Sequence, residues 1–211
     1  MKNLTEINQK WHKKNNCKLK PMATQPVFGD GNPKAKIVFI CEAPGKAEDL
    51  EGRPFVGRAG KFLAEMLETI KLKRADVYIT NVVKYRPPNN RDPEPDEIAE
   101  CLPWLIEELN FIKPKIIVTL GRHALNRFFL VEKISVVHGK LLKKDIEGLD
   151  VKNFFVLYHP AAALYNGGMR DTLIKDFKKL PLILKKKSVP IYSGTLNYAD
   201  ENVPDVNHDL L

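Results

Sequence analysis

The chain has 211 residues, 44% of them hydrophobic and 28% charged, with 34 Lys and Arg against 26 Asp and Glu for a formal charge of +8 at pH 7. That apolar content excludes a wholly disordered chain, and no uninterrupted apolar run reaches the roughly 18 residues a membrane span needs. The length suits one domain with short appendages. The opening segment MKNLTEINQKWHKKNNCK is polar and is read as carrying no secretory signal, and residues 1–35 sum to +5. Lys36–Cys41 (KIVFIC) is a short β-branched run, suited to a strand buried on both faces. Ala59–Ile70 places Phe62, Leu63, Met66, Leu67 and Ile70 on one helical face. A second strand follows at Asp76–Thr80 (DVYIT), and a second helix at Pro95–Phe111, with Ile98, Leu102, Leu105, Ile106 and Leu109 as its apolar stripe. Lys115–Leu120 (KIIVTL) and Asn153–Leu157 (NFFVL) complete the strands, with helices at His123–Leu130 and Thr172–Leu184. Residues 170–187 again sum to +5, whereas 188–211 hold four acidic residues and no Lys or Arg. The body is therefore +12 and the tail −4.

Strand–helix alternation argues for the α/β class, with a parallel sheet covered by helices on both faces. One domain over 1–187 and a flexible acidic tail over 188–211 are expected. The basic ends suit contact with phosphates or, equally, a solvated lysine face. In open parallel sheets the functional crevice lies beyond the carboxyl ends of the strands. Here those ends carry Glu42-Ala-Pro-Gly, Asn81-Val-Val-Lys-Tyr-Arg-Pro-Pro-Asn-Asn-Arg, Gly121-Arg-His and Tyr158-His-Pro-Ala. Gly29-Asp-Gly31 precedes its strand and opens no helix, so no nucleotide cofactor is expected. There is no phosphate-binding glycine loop and no G-x-S-x-G elbow, and the five histidines show no metal-ligand spacing. His123 is read as a cap or a surface group. Cys17, Cys41 and Cys101 form no C-x-x-C pair and are read as thiols in a reducing cytoplasm.

Four segments in order, CEAPGKAEDLEGRPFVGRAGKFL, VYITNVVKYRPPNNRDPEPDEI, KIIVTLGRHALNRF and YHPAAAL, closely resemble the family 4 uracil-DNA glycosylases. The match runs from about Cys17 to Leu180. It implies a three-layer α/β/α fold with a central four-stranded parallel sheet. It also implies hydrolysis of the N-glycosidic bond of uracil in DNA, giving free uracil and an abasic site.

The resemblance assigns Glu42 to positioning the attacking water and His159 to facing uracil O2. Phe55 corresponds to the aromatic floor under the base. Asn81 corresponds to the amide that pairs with O4 and N3–H. Ala43 and Gly45 line the pocket through their backbones, and Glu48 lies against C5. Without the motif, Phe55 reads as a core residue, Asn81 as a strand-end turn, Glu42 as a solvated loop residue and His159 as a structural residue before proline. Leu164 matches an apolar wedge entering the base stack, or is a helix-core residue. Lys84, Arg86, Pro87, Asn89 and Arg91 are expected to grip the DNA backbone, with Lys140 as a second phosphate contact.

Most members of the family hold a [4Fe–4S] cluster on four cysteines. Here Cys17 and Cys101 match two ligand positions, while Lys14 and Tyr85 stand at the other two. Cys41 sits at a strand end, away from that set. No cluster, and no other cofactor or metal, is therefore expected. The partner is uracil-containing DNA, with no membrane, and the protein is expected to act as a monomer. The alternatives are a catalytically weak damage-recognition protein on the same fold, or a glycosylase shifted toward hypoxanthine or xanthine.

Overall fold

The four β-branched runs form the middle of a single sheet in the computed structural model, which describes residues 3–185. The expected tail at 188–211 lies outside the described residues. In chain order the elements are α1 (Leu4–Lys14), β1 (Asp30–Gly31), β2 (Ile37–Cys41), α2 (Lys46–Glu51), α3 (Arg58–Thr69), β3 (Tyr78–Asn81) and α4 (Pro95–Ile112). Then come β4 (Ile116–Leu120), α5 (Arg122–Asn126), α6 (Ile134–Val137), β5 (Leu141–Lys143), β6 (Asn153–Leu157), α7 (Gly167–Phe177) and α8 (Leu180–Leu184).

The sheet order is β1-β3-β2-β4-β6-β5. The inner four strands are parallel, as the alternation of strand and helix requires, because each return crosses over through a helix. Two short antiparallel edges were not foreseen. β1 pairs with β3 through Asp30 and Gly31, and β5 pairs with β6 through Leu141–Lys143. The sheet is thus six-stranded and mixed rather than four-stranded. Both edges are too short to show a period-2 signal in sequence.

Alternation along the strands divides the core. Val38, Ile40, Ile117, Phe154 and Val156 face Trp11 of α1 and Ile98, Leu105 and Leu109 of α4. Ile37, Phe39, Ile116, Val118 and Phe155 face Phe62, Leu63 and Met66 of α3 and Leu173 and Phe177 of α7. These two clusters make three layers. α1 starts on a capping box, in which Asn3 accepts from the Glu6 backbone N–H and the Glu6 side chain accepts from Asn3. The helix expected at His123–Leu130 ends at Asn126, and the one expected at Thr172–Leu184 is broken at Lys178–Lys179. Pro181 lacks an N–H and occupies the first turn of α8, where that loss costs nothing. No helix among the described residues is long and apolar enough to cross a membrane.

From β2 the chain moves outward to β3, then crosses back to β4 on the other side of β2. Strand order therefore reverses between β2 and β4, and the crevice beyond their carboxyl ends is the topological switch point.

Candidate active site

A cavity of about 520 Å³ opens at that switch point, within the usual size range for small-molecule pockets. Its floor is made by the strand ends, with Cys41 closing β2 and Glu42 after it, Asn81 at the end of β3, Leu120 closing β4 and Gly121 after it, and Tyr158 and His159 after β6. Gly121 has φ 88°, which disfavours a side chain, and a Cβ there would crowd His159 Cβ at 3.2 Å, so glycine suits this close pass of the β4 end by the histidine.

The wall over this floor is the loop between α2 and α3. Phe55 lines it with φ 56°, a left-handed conformation that costs an ordinary residue free energy. Two features hold it there. Glu48 Oε1 accepts the backbone N–H groups of Val56 and Gly57, both at 3.1 Å, which ties the loop to α2. Gly60 lets α3 pack directly on the loop, since a Cβ there would sit 1.8 Å from the Phe55 carbonyl oxygen. The Phe55 and His159 rings lie 5.8 Å apart at 37°, so an aromatic face and an imidazole border one space. Glu48, Ala43 and Gly45 also line the cavity.

Asn81 is 2% exposed, and its carboxamide has no hydrogen-bond partner among the described residues. Its backbone is fixed instead, through parallel pairing with Cys41 and a bond from Lys84 Nζ to its carbonyl at 3.0 Å. A buried amide with both donor and acceptor unused can read the edge of a planar ligand. His159 Nδ1 accepts the Ala161 backbone N–H at 3.0 Å. A backbone N–H can only donate, so the neutral ring carries its proton on Nε2. Burial keeps the ring neutral by lowering its pKa to about 4. Nε2–H lies 3.1 Å from Cys41 Sγ. Cys41 is thus a cavity wall residue, and burial pushes its thiol up to about 12.

Glu42 follows β2 and its Oε1 is buried without a well-formed hydrogen bond. Burial, reinforced by Asp92, raises its carboxyl to about 7, against the pull of Arg127 and Arg122. His123 Nδ1 lies 3.3 Å from Glu42 Oε1 and 3.4 Å from Asp92 Oδ2, and Arg127 Nη2 lies 3.6 Å from Glu42 Oε1. The sequence reading made His123 a cap or a surface group; it stands in the first turn of α5 and lines the cavity. Its position directly after a strand end, in Gly121-Arg-His, was the available signal. Glu42, Asp92 and His123 offer ligand atoms within 4.8 Å of one another. They make a poor cation site, because two guanidinium groups stand beside them and Arg122 Nε–H donates to His123 Nε2 at 2.9 Å, leaving the proton on Nδ1.

The residues expected to grip a phosphate backbone separate into two groups. Lys84 is overturned. It is 3% exposed, and its Nζ is turned inward to Glu108 Oε2 at 2.8 Å and to Thr80 Oγ1. Glu108 also accepts from Tyr78 O–H at 2.7 Å, so the ammonium belongs to a closed internal network. Arg86, Asn89 and Arg91 sit on the rim around a short turn at Pro88–Asn90, with Pro87 and Arg91 lining the cavity. Arg91 forms a two-pronged pair with Glu97 at 2.7 and 2.9 Å, and Arg86 Nε donates to Asn90 Oδ1 at 2.7 Å, which stiffens the loop. Lys140, between α6 and β5, does not line the cavity. Leu164 ends the turn after His159 and packs half-buried on the core beside the exposed Tyr165.

At the positions matching cluster ligands, Lys14 is exposed while Cys17, Tyr85 and Cys101 are buried. Cys17 and Cys101 are neighbouring free thiols, and the proximity of Cys101 lowers the Cys17 thiol. Tyr85 stacks on Trp11 at 5.2 Å, and its hydroxyl meets His12 Nδ1 at 3.1 Å. Two thiols, a buried phenol and an exposed ammonium do not supply the four thiolates of such a cluster.

A model for the uracil DNA glycosylase superfamily matches residues 28–180. The chain is 47% identical over 197 residues to a type-4 uracil-DNA glycosylase of Saccharolobus solfataricus, covering 90% of this chain and 91% of that protein. It is 46% identical over 206 residues to one from Sulfurisphaera tokodaii, covering 93% of each. With one from Archaeoglobus fulgidus it shares 45% over 197 residues, covering 91% of this chain and 98% of the relative.

Proposed function

The chain belongs to the type-4 uracil-DNA glycosylases of the uracil DNA glycosylase superfamily, and on that premise we propose that it excises uracil from DNA by hydrolysis. Water oxygen ends on C1′ of the deoxyribose, free uracil departs, and an abasic site remains. The observation that carries the reading is the unpartnered Asn81 carboxamide, facing one cavity with the Phe55 ring, the His159 Nε2–H and Glu42.

A stacked base reaches such a cavity only by flipping out of the helix. Asn81 then pairs with uracil O4 and N3–H, a pattern that cytosine inverts. Phe55 supplies the stacking face. His159, neutral with its proton on Nε2, donates toward O2, and that bond strengthens as negative charge develops on the leaving base. Glu42 positions the water, and its charge opposes the positive charge that builds on the sugar. Ala43 and Gly45 shape the pocket, and Glu48 walls off C5. Arg86, Pro87, Asn89 and Arg91 hold the backbone beside the cavity, with Lys140 as a further phosphate contact and Leu164 as the wedge.

The protein works on this reading as a monomer in a reducing cytoplasm, without an iron–sulfur cluster. The packing of Tyr85 on Trp11 and the supply of only two buried thiols, Cys17 and Cys101, at those positions support the last point.

The test is incubation with oligonucleotides carrying uracil, hypoxanthine or xanthine, followed by alkaline cleavage of abasic sites. Uracil release that falls sharply in Asn81→Ala and His159→Ala is the expected result. Binding without release, or release of hypoxanthine alone, would refute it. Stoichiometric iron with absorbance near 400 nm in anaerobically purified protein would sink the cluster-free reading.

A further inference from the structure

We propose that His123 is a positioning residue for Glu42, its Nδ1–H closing on the adjacent carboxylate oxygen when substrate binds so that the other is left to the attacking water. This rests on the reading of Glu42 as the carboxylate that positions water.

The assignment starts from an obligatory donor. Arg122 Nε–H has no acceptor capacity, and its partner is His123 Nε2 at 2.9 Å. A ring nitrogen that accepts has no proton, so a neutral His123 carries its single proton on Nδ1. Burial favours that neutral form, lowering the pKa of His123. Nδ1 lies between two carboxylates, 3.3 Å from Glu42 Oε1 and 3.4 Å from Asp92 Oδ2, within ion-pair reach but short of a well-formed hydrogen bond to Oε1.

The surroundings are fully charged. Arg127 approaches the same Glu42 oxygen at 3.6 Å, and Arg122 and Arg127 also act on His123, while His159 lies beyond it. Oε1 is therefore enclosed by one donor and one cation, and it is the buried oxygen of the pair. Asp92 is placed by its own neighbour. Arg91 donates to the Asp92 carbonyl at 2.9 Å while its fork clamps Glu97 at the start of α4. The rim loop that grips DNA and the carboxylate that holds water thus meet on one imidazole. Three elements converge there, namely the end of β2, the start of α5 and the loop before α4.

Single-turnover uracil release, measured from pH 5.5 to 9, tests this with His123→Ala, His123→Asn and His123→Gln. The Asn amide places an N–H where Nδ1–H stands, whereas the Gln amide extends toward the Nε2 position. His123→Ala should lower the rate constant about 10-fold or more, within the range of a lost positioning hydrogen bond, with half-saturation for DNA within about 2-fold. The acid limb, set by Glu42 near 7, should move to higher pH because the carboxylate loses a donor. His123→Asn should recover most of the rate and His123→Gln little.

An unchanged rate and acid limb in His123→Ala overturns the proposal, as does equal rescue by Asn and Gln, a comparison that holds even where the alanine variant folds poorly. Long-range 1H–15N correlation on the wild type should report the Nδ1–H tautomer, and an Nε2–H tautomer overturns the assignment whatever the activity. Wild-type protein that releases no uracil overturns the proposed function itself, a result separable from the tautomer.

Discussion

Replacing Lys84 by Met tests whether a lysine in a basic motif serves DNA or the core. The Lys84 side chain is 4% exposed and that of Glu108 2%, with Nζ 2.8 Å from the carboxylate, so the substitution strands a buried anion. Breaking such a pair costs about 3–5 kcal/mol. For a domain of this size each kcal/mol moves the melting temperature by roughly 2–4 °C. Lys84→Met should therefore melt about 6–20 °C below wild type, and Glu108→Leu added to it should restore much of the loss, because no charge is then left unpaired. The assay is thermal unfolding by circular dichroism, paired with DNA affinity across a salt series below the melting range. Each phosphate contact contributes roughly 0.9 to the slope of log affinity against log salt. Lys84→Met should leave that slope unchanged, whereas Arg86→Ala should lower it by about that amount. A Lys84→Met protein with wild-type melting and a slope reduced by about one would refute the reasoning, since Lys84 would then reach a phosphate.

Four further outcomes follow from the cavity. Phe55→Ala should lower kcat/KM for uracil release by roughly 5- to 150-fold, the equivalent of 1–3 kcal/mol of base stacking. Gly60→Ala should approach that loss with the ring intact, because the new Cβ displaces the Phe55 carbonyl; steady-state kinetics on both variants checks this. Glu42→Gln should melt higher than wild type at pH 8 but not at pH 4. The folded carboxyl ionises near 7, above its ordinary value, so the wild type loses stability as pH rises from about 4.5 to about 7, and the amide removes that loss. Cys41, held up to about 12 by burial, should resist iodoacetamide at pH 8 in the native protein and react once unfolded, as mass spectrometry of the labelled peptide would report.

Much of the fold was legible because buried parallel strands leave dense β-branched runs, and all four central strands were placed within two residues of their observed bounds. The edge strands β1 and β5 were not, since two or three residues carry no periodicity. The candidate site was legible where polar groups sit at strand ends, and the family resemblance added Phe55 from the loop between α2 and α3. Glu42, Phe55, Asn81 and His159 all line one cavity. His123 was misjudged because its meaning depends on Arg122, Glu42 and Asp92, which only folding assembles.

The amino-acid sequence by itself determined the layering, the rim on which polar groups gather and the shortage of thiolates, because each follows from local pattern or from counting. Only the tertiary structure decided where individual charges point. Lys84 and Arg86 stand two residues apart in one basic run, yet one is sealed against Glu108 in α4 and the other stays on the rim. Nothing local separates them. A charge acquires its role from the partner that folding brings to it, and that partner is distant in the chain.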